Sequence, residues 1–442
     1  MSKTKVGFIS LGCPKNQIDC EIMLKHIADA GYEITAEDIE ADIIIINTCA
    51  FIESAKKEAI DNILDVAWLK ENRNLRGIVV TGCLPERYRD EILKEMPEVD
   101  AVVGCGGIHE IVEAVKAVDG GKKYSSFPPM ENLALGGDRI VTTPPHYAYL
   151  KIAEGCDNRC TYCAIPYIRG PFRSRPQEDI IAEAKELEEL GAKEIVIVAQ
   201  DTTRYGKDIY GKFTLPTLIR GITDNTKSVR LRLLYCYPDK ITDELVCEMA
   251  QNDRVIKYID LPIQHISDNV LRRMNRHGGS ACIKESIAKL RAAMPDIVIR
   301  TTLITGFPGE SEEDFNELCE FVKESKFERL GVFAYSREEG TPAYDFEDQV
   351  DEDIRQERAD AIMETQMMLS DRWANSFVGK TLSVVIDGYD PVSECYYGRS
   401  DMDAPDIDGK VYFMAKKGIK DGKTVNVKIT DVIDYDLIGE MI

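Results

Sequence analysis

The chain has 442 residues, of which 44% are hydrophobic and 30% charged, and its formal net charge at pH 7 is −22. This length allows two or three domains with separate cores, and no apolar run approaches the roughly 20 residues of a membrane-spanning helix. The strong negative charge disfavours general nucleic-acid binding, because phosphates are repelled, and it suits a basic protein partner.

The cysteine content and the amino terminus indicate the cellular compartment. The chain contains thirteen cysteines, an odd number, and its first residues lead into a short strand pattern without the apolar core of a signal peptide. We therefore expect a cytoplasmic protein with no membrane association. In that compartment cysteines serve metal binding or catalysis rather than a disulfide framework.

Residues 1–125 alternate between short apolar runs and helical patterns. The runs are typical of buried parallel strands. The predicted strands are Lys5–Leu11, Asp42–Ile46, Gly77–Thr81 and Asp100–Val103, and the predicted helices are Gln17–Ala30, Ser54–Asn72 and Pro85–Met96. This order predicts an N-terminal domain built on an open, doubly wound α/β sheet.

Three cysteines of this domain share one position relative to the predicted strands. Cys13, Cys49 and Cys83 each lie just beyond the carboxyl end of a strand, and in an open α/β sheet these ends face one crevice where ligands bind. Three converging thiolates would leave one iron of a four-iron cluster open. The alternative is that they are small buried residues. Cys105 also follows a strand, so its placement leaves it open as a fourth ligand.

A linker rich in proline and glycine is predicted over residues 126–145, and six strand–helix units follow in residues 146–372. Their predicted strands are Tyr147–Ile152, Glu194–Ala199, Val229–Tyr235, Tyr258–Leu261, Val298–Ile304 and Leu330–Ala334. Six such units predict an incomplete parallel (β/α)6 barrel, whose functional residues should lie at the carboxyl ends of its strands.

The segment after the first barrel strand contains Cys156, Cys160 and Cys163 with the spacing C-x3-C-x2-C. Three local thiolates would again leave one iron of a 4Fe-4S cluster open. An open iron can bind the amine and carboxylate of S-adenosyl-L-methionine (SAM) for radical chemistry. The spacing closely resembles that of the radical SAM superfamily. The alternatives are inert cysteines or a zinc site, although structural zinc usually takes four protein ligands.

Residues 376–442 lack helical periodicity and contain short strand patterns at Leu382–Ile386, Lys410–Met414 and Thr424–Ile429. These patterns predict a small antiparallel β-barrel. The acidic stretch Asp345–Asp360 before it predicts a solvated helix.

With these three parts in this order, the chain resembles the methylthiotransferases along essentially its whole length. That family combines an N-terminal iron–sulfur domain, a radical SAM partial barrel and a C-terminal TRAM barrel, and it uses SAM and two 4Fe-4S clusters. The resemblance implies catalysis by six cluster-binding cysteines, in the groups Cys13, Cys49, Cys83 and Cys156, Cys160, Cys163. It also implies that Cys105 is not a ligand and that an external reductant and sulfur source take part.

The family has two main substrate classes, an adenosine of transfer RNA and an aspartate of small-subunit ribosomal protein S-twelve. The run from Leu11 to Asp19 and the acidic loop from Arg399 to Gly409 are similar to the ribosomal branch. Residues 376–442 contain 8 Lys and Arg against 12 Asp and Glu, whereas an RNA-binding barrel should carry a basic face. We therefore expect methylthiolation of the β-carbon of an aspartate in S-twelve, with the acidic TRAM domain contacting this partner.

Alternatives to these expectations stay open. A transfer-RNA methylthiotransferase would use the same chemistry, and a non-catalytic iron–sulfur electron-transfer or scaffold protein would need no open iron. The aspartates of the acidic loop could instead form only a solvated surface. These aspartates are Asp401, Asp403, Asp406 and Asp408.

Five further residues are candidates for binding SAM. Tyr162 lies between the last two cysteines of the C-x3-C-x2-C segment, where the superfamily backbone approaches adenine. Gly306, Gly309 and Glu310 follow the fifth barrel strand and resemble the superfamily's glycine motif, although a Gly/Pro turn would look the same. Gln200 ends another barrel strand and could face SAM or substrate, or be structural.

Overall fold

The computed structural model describes residues 3–133, 135–416 and 418–442. Met1 and Ser2, Ala134 in the predicted linker, and Lys417 in the last predicted module lie outside the described residues. In chain order the structure contains an N-terminal parallel sheet, a second parallel sheet and a closed C-terminal barrel. No helix in the described part of the chain is both long and apolar enough to cross a membrane.

The N-terminal part alternates strands and helices as the sequence predicts. Its elements are β1 Lys5–Ser10, α1 Pro14–Asp29, β2 Glu33–Thr35, β3 Ile43–Thr48, α2 Glu53–Asn72, β4 Gly77–Gly82, α3 Cys83–Tyr88, α4 Glu91–Glu95, β5 Ala101–Gly104, α5 Ile111–Asp119 and β6 Tyr124–Ser126. The six strands are parallel in the order β2-β1-β3-β4-β5-β6. β3 and β4 are buried along their whole length, because helices cover both faces of such a sheet. The doubly wound prediction is confirmed.

Two details of this domain differ from the prediction. β2 and β6 are edge strands of three residues each, and neither is an apolar run that a sequence pattern would reveal; β6 also continues past residue 125. The single helix predicted over Pro85–Met96 is wrong, since α3 and α4 are separate. Between them Arg89 has φ +46°, a left-handed conformation that an L-residue helix does not continue through.

The central part contains six parallel strands that neighbour one another in chain order, β7-β10-β11-β12-β13-β14. Their bounds are β7 Tyr147–Lys151, β10 Glu194–Val198, β11 Arg230–Leu233, β12 Val255–Asp260, β13 Val298–Thr305 and β14 Arg329–Ala334. A small hairpin, β8 Ala153–Glu154 with β9 Arg173–Ser174, lies beside β7. The first and last strands do not pair, so the sheet is the open partial barrel that was predicted.

The helices of the central part are α6 Ile165–Arg169, α7 Gln177–Glu189, α8 Lys207–Tyr210, α9 Leu215–Asn225, α10 Asp243–Gln251, α11 Asp268–Arg273, α12 Gly279–Ala293, α13 Glu312–Ser325 and α14 Glu352–Asn375. Helix α7 and helices α9 to α14 pack on the outer face of this sheet around one large core, whereas α6 contributes Ile168 to a core of the N-terminal part. The inner face is filled by the other two parts of the chain. Tyr149 and Tyr258 of the inner face cluster with Ile18 and Ile22 of α1 and with Ala404 of the C-terminal part.

The acidic helix starts later and ends later than predicted. Helix α14 begins at Glu352, where the Asp351 side chain accepts a hydrogen bond from the Asp353 amide, and it continues to Asn375. One of its faces is buried, at Ala359, Ile362, Gln366 and Ser370. The predicted start at Asp345 is therefore wrong, whereas the helical residues from Glu352 to Arg358 are exposed or half-buried as predicted. The buried face, apart from Ala359, lies beyond the predicted stretch.

The C-terminal part is a closed barrel in the order β15-β16-β17-β19-β18. Its strands are β15 Thr381–Asp390, β16 Cys395–Arg399, β17 Val411–Met414, β18 Thr424–Ile433 and β19 Asp436–Met441. Four neighbouring pairs are antiparallel, but β17 and β19 are parallel. The prediction of a barrel is confirmed, whereas a wholly antiparallel barrel is impossible with five strands, because directions cannot alternate around an odd ring.

Candidate active site

The three N-terminal cysteines lie at one edge of the first sheet. Cys13 follows β1, Cys49 follows β3 and Cys83 begins α3 directly after β4. The strand order reverses between β1 and β3, and in doubly wound sheets this reversal opens a crevice at the carboxyl ends of the strands. Burial raises the pKa of Cys49 to about 12, and charges on Cys83 and Cys13 act in the same direction. The structure thus places the three cysteines at one edge of the first sheet.

Glycine lets the loops around these cysteines approach one another closely. Gly12 has φ +89°, and a Cβ on it would lie only 2.8 Å from the Cβ of Cys49. Gly82, directly before Cys83, has φ +94°, and a Cβ there would lie 2.5 Å from the carbonyl oxygen of Thr48. Both positions need the conformations and the space that only glycine provides without strain.

Cys83 is flanked by two hydrogen-bond donors. The Cys105 thiol hydrogen-bonds to it and is the strongest influence lowering the pKa of Cys83; burial opposes this effect, and the Arg169 guanidinium adds to it. Arg169 Nη2 donates to Cys83 Sγ at 3.4 Å. The structure therefore places Cys105 beside the group of three as a fourth thiol, in the position of a donor to Cys83.

Cys156, Cys160 and Cys163 form a second group on the loop after β8. Gly155 has φ +80°, and a Cβ on it would lie 2.1 Å from the carbonyl oxygen of Pro171, so this turn also requires glycine. Burial raises the pKa of Cys156 to about 11, and the charge of Cys160 contributes in the same direction. Burial also raises the pKa of Cys163, together with charges on Cys160 and Cys156.

Two side chains that the sequence did not single out border this second group. Tyr237 Oη lies 4.0 Å from Cys160 Sγ, and the Arg276 guanidinium lies over the Tyr237 ring, 4.3 Å from its centroid. Arg276 Nη1 is buried without a hydrogen-bond partner among the described residues. Both residues come from loops without apolar periodicity, so no single-sequence pattern marks them.

Four of the predicted SAM contacts lie together beside the second group. The Tyr162 ring meets the Phe307 ring edge-to-face with centroids 6.4 Å apart, and Gly306 and Gly309 have φ +67° and +79° in the turn after β13. The Glu310 carboxylate accepts a hydrogen bond from the Gly306 amide at 2.9 Å and pairs with Arg358 at 2.7 Å. Glu310 therefore holds the glycine turn in place.

A buried network of four charges lies between the two cysteine groups. Asp19 of α1 accepts from Lys151 at 2.6 Å and from Arg169 at 2.5 Å. Glu154 accepts from the same Lys151 at 2.9 Å and lies 3.6 Å from Arg169. All four side chains are almost completely withdrawn from solvent, and each charge has opposite charges as neighbours, which buried charges require.

This network connects the two groups physically. Arg169 contacts Cys83 at one end, and Glu154 lies two residues before Cys156 at the other. Gln200, the fifth predicted SAM contact, donates its Nε2 to Glu154. Its Oε1 is buried and has no partner among the described residues, so it offers an acceptor beside the second group.

The donor sets fit iron–sulfur clusters. As placed, no group of three or more His, Cys, Asp or Glu side chains in the described part of the chain could hold a metal ion. Thiolates of a four-iron cluster bind different irons and stand farther apart than the ligands of one ion. Each group supplies three buried or half-buried thiols in loops that contain positive-φ glycines, and among the described residues the second group has unpartnered polar atoms on Gln200 and Arg276 beside it.

The acidic loop docks on the chain itself. Its four aspartates bind the inner face of the central sheet, through the contacts Arg230–Asp401, Arg329–Asp403, Tyr149–Asp406 and Tyr258–Asp408. The expectation that these carboxylates contact a partner is therefore corrected, since their partners lie within the chain. A solvated loop is wrong for Asp403 and Asp408 in particular, whose side chains are 2% and 3% exposed.

Models of three known families match successive parts of the chain. Residues 5–104 match the uncharacterized protein family UPF0004, residues 150–322 the radical SAM superfamily, and residues 378–442 the TRAM domain. Among solved structures, the radical SAM methyltransferase TsrM from Kitasatospora setae is similar with a TM-score of 0.58 at 12% identity, covering 87% of this chain and 81% of TsrM. A likeness at this identity shows the fold alone.

The central part is an open parallel half-barrel with a loop of three cysteines after its first strand. The model of the radical SAM superfamily matches this part, so the chain is a radical SAM enzyme. Two relatives are each named ribosomal protein uS12 methylthiotransferase RimO. The protein from Acetivibrio thermocellus is 50% identical over 100% of this chain and 99% of its own length. The one from Thermoanaerobacter sp. is 50% identical over 98% of this chain and 99% of its own length. The chain belongs to the RimO family.

Proposed function

We propose that this chain transfers a methylthio group to the β-carbon of an aspartate in ribosomal protein uS12. The observation that carries the proposal is the pair of three-cysteine groups joined by one buried charge network. Generating a radical and delivering sulfur are incompatible tasks for a single open iron, and two groups separate them. The names of the two relatives supply the substrate.

In this proposal the six cysteines hold two clusters, Cys156, Cys160 and Cys163 the SAM-binding one, and Cys13, Cys49 and Cys83 the other. When bound, the clusters and SAM supply reductive SAM cleavage, hydrogen abstraction and a methylated sulfur. An external reductant and an external sulfur source complete the reaction.

The chain's own residues bind and orient the reactants. Tyr162 and the turn at Gly306 and Gly309 form one wall for the nucleoside, and Glu310 keeps that turn in shape. Gln200 presents its free Oε1 as an acceptor. Cys105 does not bind iron in this proposal; it donates a hydrogen bond to Cys83.

The partner surface lies on the C-terminal barrel away from the docked loop. The exposed charges there are of both signs: Glu394, Asp421, Asp431, Asp434 and Glu440, together with Lys380, Lys410, Lys416, Lys420, Lys423 and Lys428. Net charge on this surface does not choose between a basic ribosomal protein and RNA, so the choice of uS12 rests on the names of the relatives. We propose the domain limits 1–125, 146–372 and 376–442 with a linker over 126–145, changing the limits at 125 and 372 to 126 and 375, where β6 and α14 end.

The test is mass spectrometry of the products formed by reconstituted, reduced protein with SAM and sulfide, offered uS12 and transfer RNA separately. We expect a methylthio group on one aspartate of uS12 and none on RNA. Gain on RNA alone would assign the chain to the other substrate class. Absence of SAM cleavage would favour an electron-transfer or scaffold role.

Cysteine variants separate the tasks of the two groups. Cys160→Ala should abolish SAM cleavage, while Cys13→Ala should leave some SAM cleavage but no methylthiolation. Cys247→Ala, at an exposed cysteine outside both groups, is the matched control and should behave as the wild type. Equal loss of both activities in Cys160→Ala and Cys13→Ala would contradict this division.

A further inference from the structure

Lys15 is a buried ammonium with no carboxylate partner. Its residue is only 6% exposed, and its Nζ lies 3.2 Å from the centroid of the Tyr235 ring. In the part of the chain that the structure describes, no Asp or Glu forms an ion pair with it. The two other buried cations nearby, Lys151 and Arg169, each pair with Asp19. Lys15 is therefore an exception in its own surroundings.

Its position is the junction of the two cysteine groups. Lys15 lies in the first turn of α1, two residues after Cys13. Tyr235, beneath its ammonium, lies two residues before Tyr237, whose hydroxyl is 4.0 Å from Cys160 Sγ. Two residues span at most about 7 Å of chain. The ammonium thus lies within a few side-chain lengths of both groups.

The buried charge of Lys15 is offset by Tyr235, which also hydrogen-bonds the ammonium, and by the more distant charges of Cys13 and Glu154, without a carboxylate in direct contact. Burying an ammonium is unfavourable unless a counter-charge or hydrogen bonds replace its water. A cation over an aromatic ring recovers roughly 2 kcal/mol when both are desolvated, less than a carboxylate provides. The first turn of α1 adds positive potential from its free amides, so the site as a whole favours an anion.

We propose that Lys15 binds the side-chain carboxylate of the target aspartate and so selects aspartate over asparagine. This inference rests on the proposed function, because it requires an aspartate substrate. The carboxyl carbon of aspartate is bonded directly to the β-carbon. An ammonium that holds the carboxylate therefore fixes the reacting carbon between the two groups, which is the positioning that a bound substrate needs.

Among the described residues, Arg276 is the second buried cation without a carboxylate partner, and it does not compete for this role. The Arg276 guanidinium lies over the Tyr237 ring beside the second group, and not over the Tyr235 ring where Lys15 lies.

A second possibility for Lys15 is that it only offsets the negative charge of a cluster held by Cys13. The two roles differ in one respect: charge compensation does not depend on whether the substrate carries a carboxylate.

The test compares two uS12 substrates, one with the natural target aspartate and one with asparagine in its place. Wild type, Lys15→Met and Lys15→Arg are measured with both, and Lys25→Met, an exposed lysine on the same helix, controls for the loss of one charge. Readouts are bound iron, SAM cleavage, substrate affinity by fluorescence anisotropy, and kcat/KM for methylthiolation.

We expect Lys15→Met to keep its iron and its SAM cleavage but to bind the aspartate substrate roughly 10- to 100-fold more weakly, the range for a lost hydrogen bond to a charged group. Its preference for aspartate over asparagine should disappear. Lys15→Arg should restore part of the preference, and Lys25→Met should leave it unchanged.

Two results would overturn the inference while the proposed function stands. One is an unchanged aspartate preference in Lys15→Met. The other is loss of iron in Lys15→Met with full aspartate preference in the protein that keeps its clusters, which would assign Lys15 to charge compensation. Failure of the wild type to modify uS12 at all would instead refute the proposed function, and the inference with it.

Discussion

Three of the six grouped cysteines follow a glycine with positive φ, at Gly12, Gly82 and Gly155. At each of these glycines, an added Cβ would lie less than 3.0 Å from a neighbouring atom and would clash with it. The left-handed conformation turns the chain sharply at the end of a strand, so that the next side chain faces the crevice. The glycines therefore determine where the thiols point, and the cysteines supply the chemistry.

Replacing Gly12 by alanine should damage one cluster site selectively. The new Cβ would lie 2.8 Å from the Cys49 Cβ at φ +89°, and both the clash and the strained conformation cost roughly 1–3 kcal/mol. We expect Gly12→Ala to lose the iron of the Cys13 group and keep that of the Cys156 group, as measured by iron content and Mössbauer spectra.

Gly31→Ala is the matched control, because Gly31 has φ +90° but no atom within 4 Å of its Cβ position. It shares the conformational strain without the clash. If Gly31→Ala lost as much iron as Gly12→Ala, backbone strain rather than the approach of Cys49 would be responsible.

Cys105→Ala tests the role of the fourth thiol. Since Cys105 donates a hydrogen bond to Cys83, its removal should leave the iron content unchanged and lower the reduction potential of that cluster, because hydrogen bonds to the ligand sulfurs raise it. A redox titration followed by electron paramagnetic resonance gives the potential. Loss of iron comparable to that in Cys83→Ala would show that Cys105 is itself a ligand.

At the scale of elements, helix α1 fastens the N-terminal sheet to the half-barrel. Ile18 and Ile22 pack against the inner face of the central sheet, and Asp19 on the same helical face bonds Lys151 and Arg169. The loop before α1 carries Cys13 and its first turn carries Lys15. One helix thus positions a ligand, a cation and the contact between the domains.

Asp19→Asn should therefore destabilise the junction strongly. Removing one partner of a buried ion pair typically costs 3–5 kcal/mol, because the remaining charges stay buried. We expect a lower thermal unfolding midpoint and a smaller further loss when Lys151→Met is added, since the two changes share one interaction. Asp29→Asn, at an exposed pair with Lys25 on the same helix, should change the midpoint little. Additive losses in the double variant would argue against a shared network.

The sequence predicted those elements whose residues form long apolar runs. β3, β4 and β10 were located to within one or two residues because they are buried on both faces. The strands it missed include the short strands β2, β6, β8 and β9, and also β16 and β19 of the C-terminal barrel, which are five and six residues long. The six cysteines were singled out because spacing and strand ends are local features. Arg169, Lys15 and Arg276 were missed, because their partners come from distant parts of the chain.

At the scale of the whole molecule, the C-terminal barrel covers part of the inner face of the half-barrel, near the amino-terminal ends of its strands. The loop over residues 401–408 enters the inner face of the central sheet and bonds Arg230, Arg329, Tyr149 and Tyr258. Composition alone showed an acidic loop and suggested a partner. The basic residues that neutralise it lie on β11 and β14, at least 70 residues earlier in the chain, which no local pattern reveals.

The carboxylate of Glu194 joins the central sheet to the C-terminal barrel, and its charge depends on pH. It lies on β10 and accepts from Arg232 at 2.6 Å and from Arg399 of β16 at 3.2 Å. Arg399 also pairs with Asp387 at 2.9 Å, and Asp387 lies 2.7 Å from His146 Nε2. Burial acts to raise the pKa of Glu194, but the two guanidiniums outweigh it and lower this pKa to about 2.

Because the folded pKa lies below the unfolded value of about 4.3, Glu194 stabilises the fold at every pH above that value and loses its contribution as the pH falls towards 2. The difference corresponds to roughly 3 kcal/mol. We expect the unfolding midpoint of Glu194→Gln to lie below that of the wild type by a constant amount from pH 7 to 5 and to approach it below pH 4. Glu320→Gln, at an exposed pair with Lys323, should match the wild type throughout. A deficit in Glu194→Gln that persisted undiminished to pH 3 would show that its amide disturbs packing, and that the carboxylate's charge does not hold the barrel to the central sheet.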